Sequence, residues 1–209
     1  RGRGGAAFPV ARKWAAVRAH REAPATVVCN GDEGDPGSYV DRLLMEGDPH
    51  AVLEGVALAA RAVGAPRAWV YVRSEYPRAR DRLRAAVDEA RAAGELGDLE
   101  LAVVEGAGSY VAGEETALLH SMEGLRGAAA ARPPYPAEAG LYGCPTVVNN
   151  VETLVNVPWI LREGGAEFAA LGTAGSSGSK LFCVSGAVAR PGVYEATFGI
   201  TLRELLALA

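Results

Sequence analysis

The sequence predicts an α/β protein built on a parallel sheet. Short β-branched runs alternate with stretches of helical periodicity. Helical stretches open at Asp or Pro and close at Gly, and polar, glycine-rich loops follow the runs. Three such runs with helices between them make a βαβαβ unit. Its natural solution is a parallel sheet with right-handed crossovers, buried on both faces.

Thr26 to Asn30 (TVVCN) is short, β-branched and followed by Gly and Asp, which predicts a strand ending in a turn. Asp48 and Pro49 suit the N-cap and first position of a helix. Val52, Leu53, Val56, Ala57, Ala60 and Val63 follow at helical spacing, and Gly64 is the natural stop. Arg67 to Arg73 (RAWVYVR) predicts a second strand. Pro77 opens a helix with Ala79, Leu83, Ala86, Val87 and Ala90 on one face and Gly94 at its end. Leu99 to Val104 completes the unit as a third strand.

Beyond it, Glu105 to Glu115 reads as a glycine-rich loop and Thr116 to Met122 as a short helix. The stretch from Gly127 to Gly143, with Pro133, Pro134 and Pro136, reads as an extended loop. Pro145 to Asn150 suits a strand and Val151 to Phe168 a helix, which Pro158 is expected to kink or split. Gly172 to Ser179 (GTAGSSGS) reads as a linker. Lys180 to Val188 and Gly192 to Ala196 form a hairpin pattern around Arg190-Pro191-Gly192, and Thr201-x-x-Glu204 is a capping box. A ββα opening is not a stable domain by itself. The expected division is therefore residues 1–172 as one α/β domain and 176–209 as the start of a second. The chain opens inside a motif with no initiator methionine, so it reads as a fragment.

Composition excludes several function classes. Hydrophobic residues make up 49% and charged residues 22%, as in ordinary globular proteins, and the net charge of -4 comes with no basic stretch, which argues against nucleic acid. No apolar run reaches the ~18 residues of a membrane span. Cys29, Cys144 and Cys183 lie far apart and form no C-x-x-C pair, so no metal or cluster site is expected.

Four polar clusters could carry chemistry. Gly2-Arg3-Gly4-Gly5-Ala6-Ala7-Phe8-Pro9, with Lys13 beyond, offers converging backbone N–H groups and positive charge to an anion, or is a flexible terminus. It is not G-x-G-x-x-G after a strand. Asn30-Gly31-Asp32-Glu33-Gly34-Asp35 sets three carboxylates in four residues, which suits ribose hydroxyls, ring N–H groups or a hard metal, or is a solvated acidic turn. Gly113-Glu114-Glu115 stands at a helix start, where capping alone accounts for acidic residues. Asn149-Asn150, with Thr153 behind, suits the edge of a heteroaromatic ring or a turn. His20, His50 and His120 have no motif around them.

In their order and wording these clusters resemble one family. GRGGAAFP (2–9), CNGDEGDPGSYVDR (29–42), MEGDPH (45–50), GAGSYVAGEETALL (106–119), EGLRG with RPPYPA (123–137) and GLYGCPTVVNNVETL (140–154) look like the FMN- and NADH-binding subunit of respiratory complex I. The diaphorase subunits of NAD-dependent formate dehydrogenases and NAD-linked hydrogenases share the pattern. The resemblance covers essentially the whole chain. It implies a Rossmann-like FMN domain followed by the truncated start of a ubiquitin-like β-grasp domain, with a 4Fe–4S cluster only in a further, missing domain. It implies hydride transfer from NADH to FMN, without a catalytic acid or base, and onward passage of electrons to iron–sulfur subunits. The implied FMN residues are Gly2, Arg3, Gly4, Gly5, Lys13, Asn30, Asp32, Gly113, Glu114, Asn149, Asn150 and Thr153. The implied NADH residues are Phe8, which would stack on adenine, and Asp35, Glu115, Arg132 and Tyr135. The implied location is cytoplasmic, peripheral to the inner face of the cell membrane through partner subunits. Ala7 replaces a family glycine and Ala16 a second stacking aromatic, and Asp35 is shorter than the glutamate usual in complex I. These departures leave open a degenerate binding or assembly protein.

Overall fold

A computed structural model describes residues 1–20 and 22–209. Helix α1 (Val10–Ala19) precedes β1 (Thr26–Gly31), α2 (Val40–Gly47) and α3 (Pro49–Val63). Then come β2 (Arg67–Arg73), α4 (Pro77–Ala92) and β3 (Glu100–Gly106). A 3-10 turn at Tyr110–Gly113 leads into α5 (Glu115–Met122), and a second at Leu141–Gly143 into β4 (Thr146–Asn150). The chain continues as α6 (Val151–Glu163), α7 (Gly165–Ala170), β5 (Gly172–Thr173), β6 (Ser176–Ser177), β7 (Ser179–Val184), β8 (Gly192–Thr197) and α8 (Leu202–Leu208).

The main sheet has the order β3-β2-β1-β4, and every pairing in it is parallel. Side chains alternate across it as the pleat requires. Val27 and Cys29 join Val52, Leu53, Val56, Leu83 and Leu154 in the larger core, under α1, α3, α4 and α6. Val28 joins Tyr71, Leu118, Leu141 and Val148 on the opposite face, under α5. The connections from β1 through β3 run over the first face, and α5 returns over the second. The strand order therefore reverses between β1 and β4, and the crevice beyond their carboxyl ends is where such sheets bind ligands. Asn30 and Asn150 are direct partners in the β1–β4 register, so two of the polar clusters meet there.

Helix α3 ends as its sequence dictates. Asp48 Oδ1 accepts the Ala51 N–H at 3.1 Å, and Gly64 sits at φ 73°, in the left-handed region that favours glycine. Two expectations are corrected. Pro158 does not split its helix, since α6 runs from Val151 to Glu163 and ends only at Gly164. Proline lacks the N–H that would bond the Leu154 carbonyl one turn back. That carbonyl faces Gly55 of α3, where an added Cβ would overlap its oxygen and lie 2.7 Å from its carbon. Helix α3 approaches α6 closely there, at a residue with no side chain. The second correction concerns Gly172 to Ser179. It is not a plain linker, because β5 and β6 pair antiparallel within it and the Gly178 N–H donates to Leu171 O at 2.8 Å.

The final segment forms the antiparallel β7–β8 hairpin and α8, whose Thr201–Glu204 capping box is complete. A small core of Val184, Leu205 and Ala209 lies between them, flanked by Phe182, Val188, Tyr194 and Ile200. No helix among the described residues is long and apolar enough to cross a membrane.

Candidate functional site

The polar residues singled out in the sequence fall into two adjoining groups at the β1–β4 crevice. The first is built on the glycine-rich loop. The Gly2 N–H donates to Phe8 O at 3.0 Å and closes the loop, while the Arg3 N–H donates to Thr153 Oγ1 at 2.8 Å. Gly4 lies on Asn150, where an added Cβ would stand 2.9 Å from the Asn150 Cβ. Among the described residues the N–H groups of Gly4, Gly5, Ala6 and Ala7 have no intramolecular acceptor, and all four residues are exposed. Backbone donors left open in this way are available to an anion.

The second group spans β1, α1, α5 and the proline-rich loop. Asn30 Nδ2 donates to Gly113 O at 2.9 Å, and its Oδ1 accepts the Asp32 N–H at 3.0 Å. Lys13 Nζ bonds Glu115 Oε2 at 3.0 Å and Val148 O at 2.9 Å. Arg132 reaches across to Glu114 and, at 3.1 Å, to Glu115. Glu114 also caps α5, accepting the N–H groups of Thr116 and Ala117. Burial opposes its ionisation, but the Thr116 hydroxyl, the Ala117 N–H and Arg132 outweigh it and hold the carboxyl below its ordinary range. The capping reading of this cluster is thus realised at Glu114, while Glu115 faces two cations.

Asp32 is the outlier. Its Oδ2 is buried with no hydrogen-bond partner among the described residues. Burial raises its carboxyl to about 6, against the pull of Arg73 and with the push of Glu75. A buried oxygen left unpaired costs about 1–3 kcal/mol, so such atoms point to a ligand or another unfilled partner.

Some of the sequence-derived residues are placed differently from the expectation. The Arg3 guanidinium, expected to face a phosphate, donates to Arg1 O, Ser177 O and Ser179 O and stacks 4.6 Å from the Phe198 ring. Asn150 Oδ1 accepts the Thr153 N–H as the N-cap of α6, and Asn149 Oδ1 accepts from Trp14 Nε1 at 2.8 Å. The carboxylates of the acidic turn separate. Glu33 caps α2 by accepting the N–H groups of Asp41 and Arg42, while Asp35 accepts from Tyr110 on the surface. Phe8 and Tyr135 are half exposed, with Arg12 over the Phe8 ring and the Tyr135 N–H on Glu138. A cleft of about 490 Å³ lined by Arg67, Trp69 and Leu99 lies at the other end of the strands and contains none of these residues.

Sequence reasoning missed Asp41, Glu152, Trp14 and Lys180. Asp41 and Glu152 are buried carboxylates inside helices, which periodicity alone reads as exposed. Burial, reinforced by the charge of Glu33, raises the Asp41 carboxyl to about 8, although the Glu152 N–H and the Asn150 amide pull it back. An acid whose folded value lies above its unfolded one makes the native state bind more protons between the two. Stability is therefore expected to fall as pH rises from about 4 to about 8, with Asp32 adding to the same slope up to about 6. Asp41→Asn should flatten that slope in chemical denaturation across the window, and an unchanged slope would contradict the assignment.

Ala7 sits at φ 50°, one of two non-glycine residues in the left-handed region among the described residues. That conformation costs an L-residue about 1–2 kcal/mol. Ala7→Gly relieves the strain but loosens the unfolded chain, so a net gain of about 0.5–1 kcal/mol is expected from denaturant midpoints. A loss of stability would show that the alanine methyl is needed. Ala16 is exposed on α1.

Comparison with known proteins identifies the family. The model of the Nuo51 FMN-binding domain matches residues 1–159, and that of the SLBB domain matches residues 181–209. The chain belongs to the Nuo51 FMN-binding domain family. Within that family it is 47% identical over 214 residues to the F subunit of NADH-quinone oxidoreductase of Aquifex aeolicus, covering 99% of this chain and 50% of that protein. It is 46% identical to the HndC subunit of the NADP-reducing hydrogenase of Solidesulfovibrio fructosivorans, covering 99% of this chain and 44% of that one. The crystal structure of an NAD+-reducing NiFe hydrogenase in the H2-reduced state superposes with a TM-score of 0.94 at 47% identity, over 98% of this chain and 36% of the hydrogenase chain. The chain thus spans about half the length of the quinone-oxidoreductase relatives it matches. The family match covers both groups at the β1–β4 crevice, and the SLBB match begins inside the β7–β8 hairpin.

Proposed function

We propose that this chain binds FMN and NADH at the β1–β4 crevice and forms the NADH-oxidising part of a multisubunit oxidoreductase. The observation that carries the reading is the buried Asp32 oxygen with no partner among the described residues, just beyond β1, where the strand order reverses and a loop of open backbone N–H groups rests on Asn150 of the neighbouring β4. Both features fit a phosphorylated ring cofactor. The donors of the Gly2–Ala7 loop suit its phosphate, and Asp32 suits a ring or ribityl group.

On this reading the open N–H groups of Gly4 and Gly5 face the phosphate, Gly2 and Arg3 shape the loop through their own bonds to Phe8 and Thr153, and Lys13 contributes charge. Asn30, Asp32, Gly113, Glu114, Asn149, Asn150 and Thr153 complete the pocket. Phe8, Asp35, Glu115, Arg132 and Tyr135 hold NADH, with Phe8 free to stack on adenine because its ring is half exposed. When bound, FMN supplies the acceptor for two electrons and releases them singly. The protein's part is to bind and orient. No side chain has to move a proton for hydride to pass directly between stacked rings, so positioning dominates. The Lys13–Glu115–Arg132 cluster keeps Glu115 fixed at the rim, where a carboxylate can accept from ribose hydroxyls or an amide.

We further propose iron–sulfur subunits as the recipients of the electrons, a cytoplasmic location at the membrane's inner face through those partners, and two units at 1–172 and 176–209. Identity to the Aquifex aeolicus protein and to the hydrogenase chain is the same, 47%, so the proposal stops at the module the two assemblies share. The test is cofactor uptake. Protein reconstituted with flavin should release FMN on denaturation, identified by mass spectrometry, and should reduce ferricyanide with NADH. FAD alone in the released material would overturn the cofactor assignment. A folded protein that takes up no flavin would mark a binding or assembly role instead.

A further inference from the structure

A closed ring of hydrogen bonds surrounds the first turn of α6. The Arg3 N–H donates to Thr153 Oγ1 at 2.8 Å, and the Thr153 N–H donates to Asn150 Oδ1 at 3.1 Å. Asn150 Nδ2 donates to Asp41 Oδ2 at 2.6 Å, and the Glu152 N–H donates to Asp41 Oδ1 at 3.2 Å. Lys180 Nζ then bonds Glu152 Oε2 at 3.0 Å and Arg3 O at 3.5 Å, which returns to the start. Arg3, Asp41, Glu152 and Thr153 are all buried. The Leu181 N–H adds a bond to Glu152 Oε1 at 2.8 Å.

Only one member of this ring, Lys180, lies outside the FMN-binding match. It stands on β7, in the hairpin that also supplies Ser179 O to the Arg3 guanidinium. The residue after Arg3 is Gly4, the first of the four with open N–H groups, and Gly4 rests on Asn150, another ring member. The Gly4 N–H shares a peptide plane with the Arg3 carbonyl, so its direction is set from two sides, by Asn150 beneath and by Lys180 at that carbonyl.

We propose that Lys180 is a positioning residue for the cofactor, holding the Gly2–Ala7 loop in its anion-binding conformation through Glu152 and the Arg3 carbonyl. The inference rests on the FMN reading above. It makes the C-terminal hairpin part of the cofactor site without touching the cofactor. A loop free to turn would spend binding energy on ordering its N–H groups, and prior fixing avoids that cost.

The experiment titrates FMN into the full chain, followed by quenching of flavin fluorescence, with melting measured separately without FMN. Lys180→Met alone would leave Glu152 buried and unpaired, so Glu152→Gln is made with it to remove both charges together. The double variant is expected to bind FMN about tenfold more weakly, or more, while its FMN-free melting temperature stays near that of the wild type. Lys180→Arg should recover most of the affinity, since a cation again bridges Glu152 and the Arg3 carbonyl. Phe198→Ala, which loosens Arg3 from its other side, should weaken FMN binding in the same direction and serves if the double variant does not fold. Wild-type affinity in either folded variant would overturn the proposal and leave the FMN reading intact. An equal fall in melting temperature and affinity, unrescued by arginine, would assign the ring to stability alone. Failure of the wild type to bind FMN would overturn both readings.

Discussion

Gly55→Ala is expected to destabilise the protein by about 1–2 kcal/mol, although alanine is the better helix former. The intrinsic preference of alanine over glycine inside a helix is about 1 kcal/mol. Against it stands the position of the new Cβ, overlapping the Leu154 carbonyl of α6. Backbone cannot rotate away as a side-chain tip can, so α3 and α6 must part, and overpacking of this kind costs about 1–3 kcal/mol or more. Gly47, in the last turn of α2, has nothing within 4 Å of its would-be Cβ. Gly47→Ala should therefore be neutral or stabilising by up to about 1 kcal/mol. Urea midpoints of the two variants should move in opposite directions, or one should stay still. A Gly55→Ala protein as stable as the wild type would mean that the α3–α6 contact is not as close as described.

Glu115→Gln should weaken NADH binding by roughly ten- to a hundredfold while changing FMN binding much less. The amide keeps the shape of the side chain and removes the charge, which is worth about 1.5–3 kcal/mol in a charge-assisted hydrogen bond. Glu115 touches the FMN site only through Lys13, whose charge and bond to Val148 O remain in the variant, and none of its hydrogen bonds goes to the Gly2–Ala7 loop. Glu114 differs, since it caps α5 and changing it would disturb the helix start as well. Separate titrations of FMN and of NADH with the loaded protein would show the split. Equal losses of both ligands would mean that the two carboxylates do not divide the work.

Much of this architecture was legible because its causes are local. Asp48, Pro49 and Gly64 mark both ends of α3 by capping chemistry that needs no partner outside the helix. The TVVCN run is a strand because it is β-branched and short, and its terminal Asn30 then has to stand at the sheet's carboxyl edge. The order of the polar clusters was legible as a family pattern, which the match over residues 1–159 bears out. What was not legible depends on residues distant in sequence. The close contact of α3 with the Leu154 carbonyl depends on Gly55, far earlier in the chain. Arg3 turns its guanidinium to Ser177 and Ser179, whose carbonyls are set by strands that composition reads as a linker. Asp41 and Glu152 carry no sequence signal of burial, and their roles appear only when β4, α2 and β7 are brought together.

Whether this crevice holds FMN where NADH can reduce it is tested most directly by anaerobic titration. FMN-loaded protein is titrated with NADH and followed by visible flavin absorbance. The absorbance is expected to bleach completely at about one equivalent of NADH per bound flavin, because one hydride carries both electrons. Flavin that stays oxidised with excess NADH, in protein shown to be folded and loaded, would contradict the assignment of this crevice.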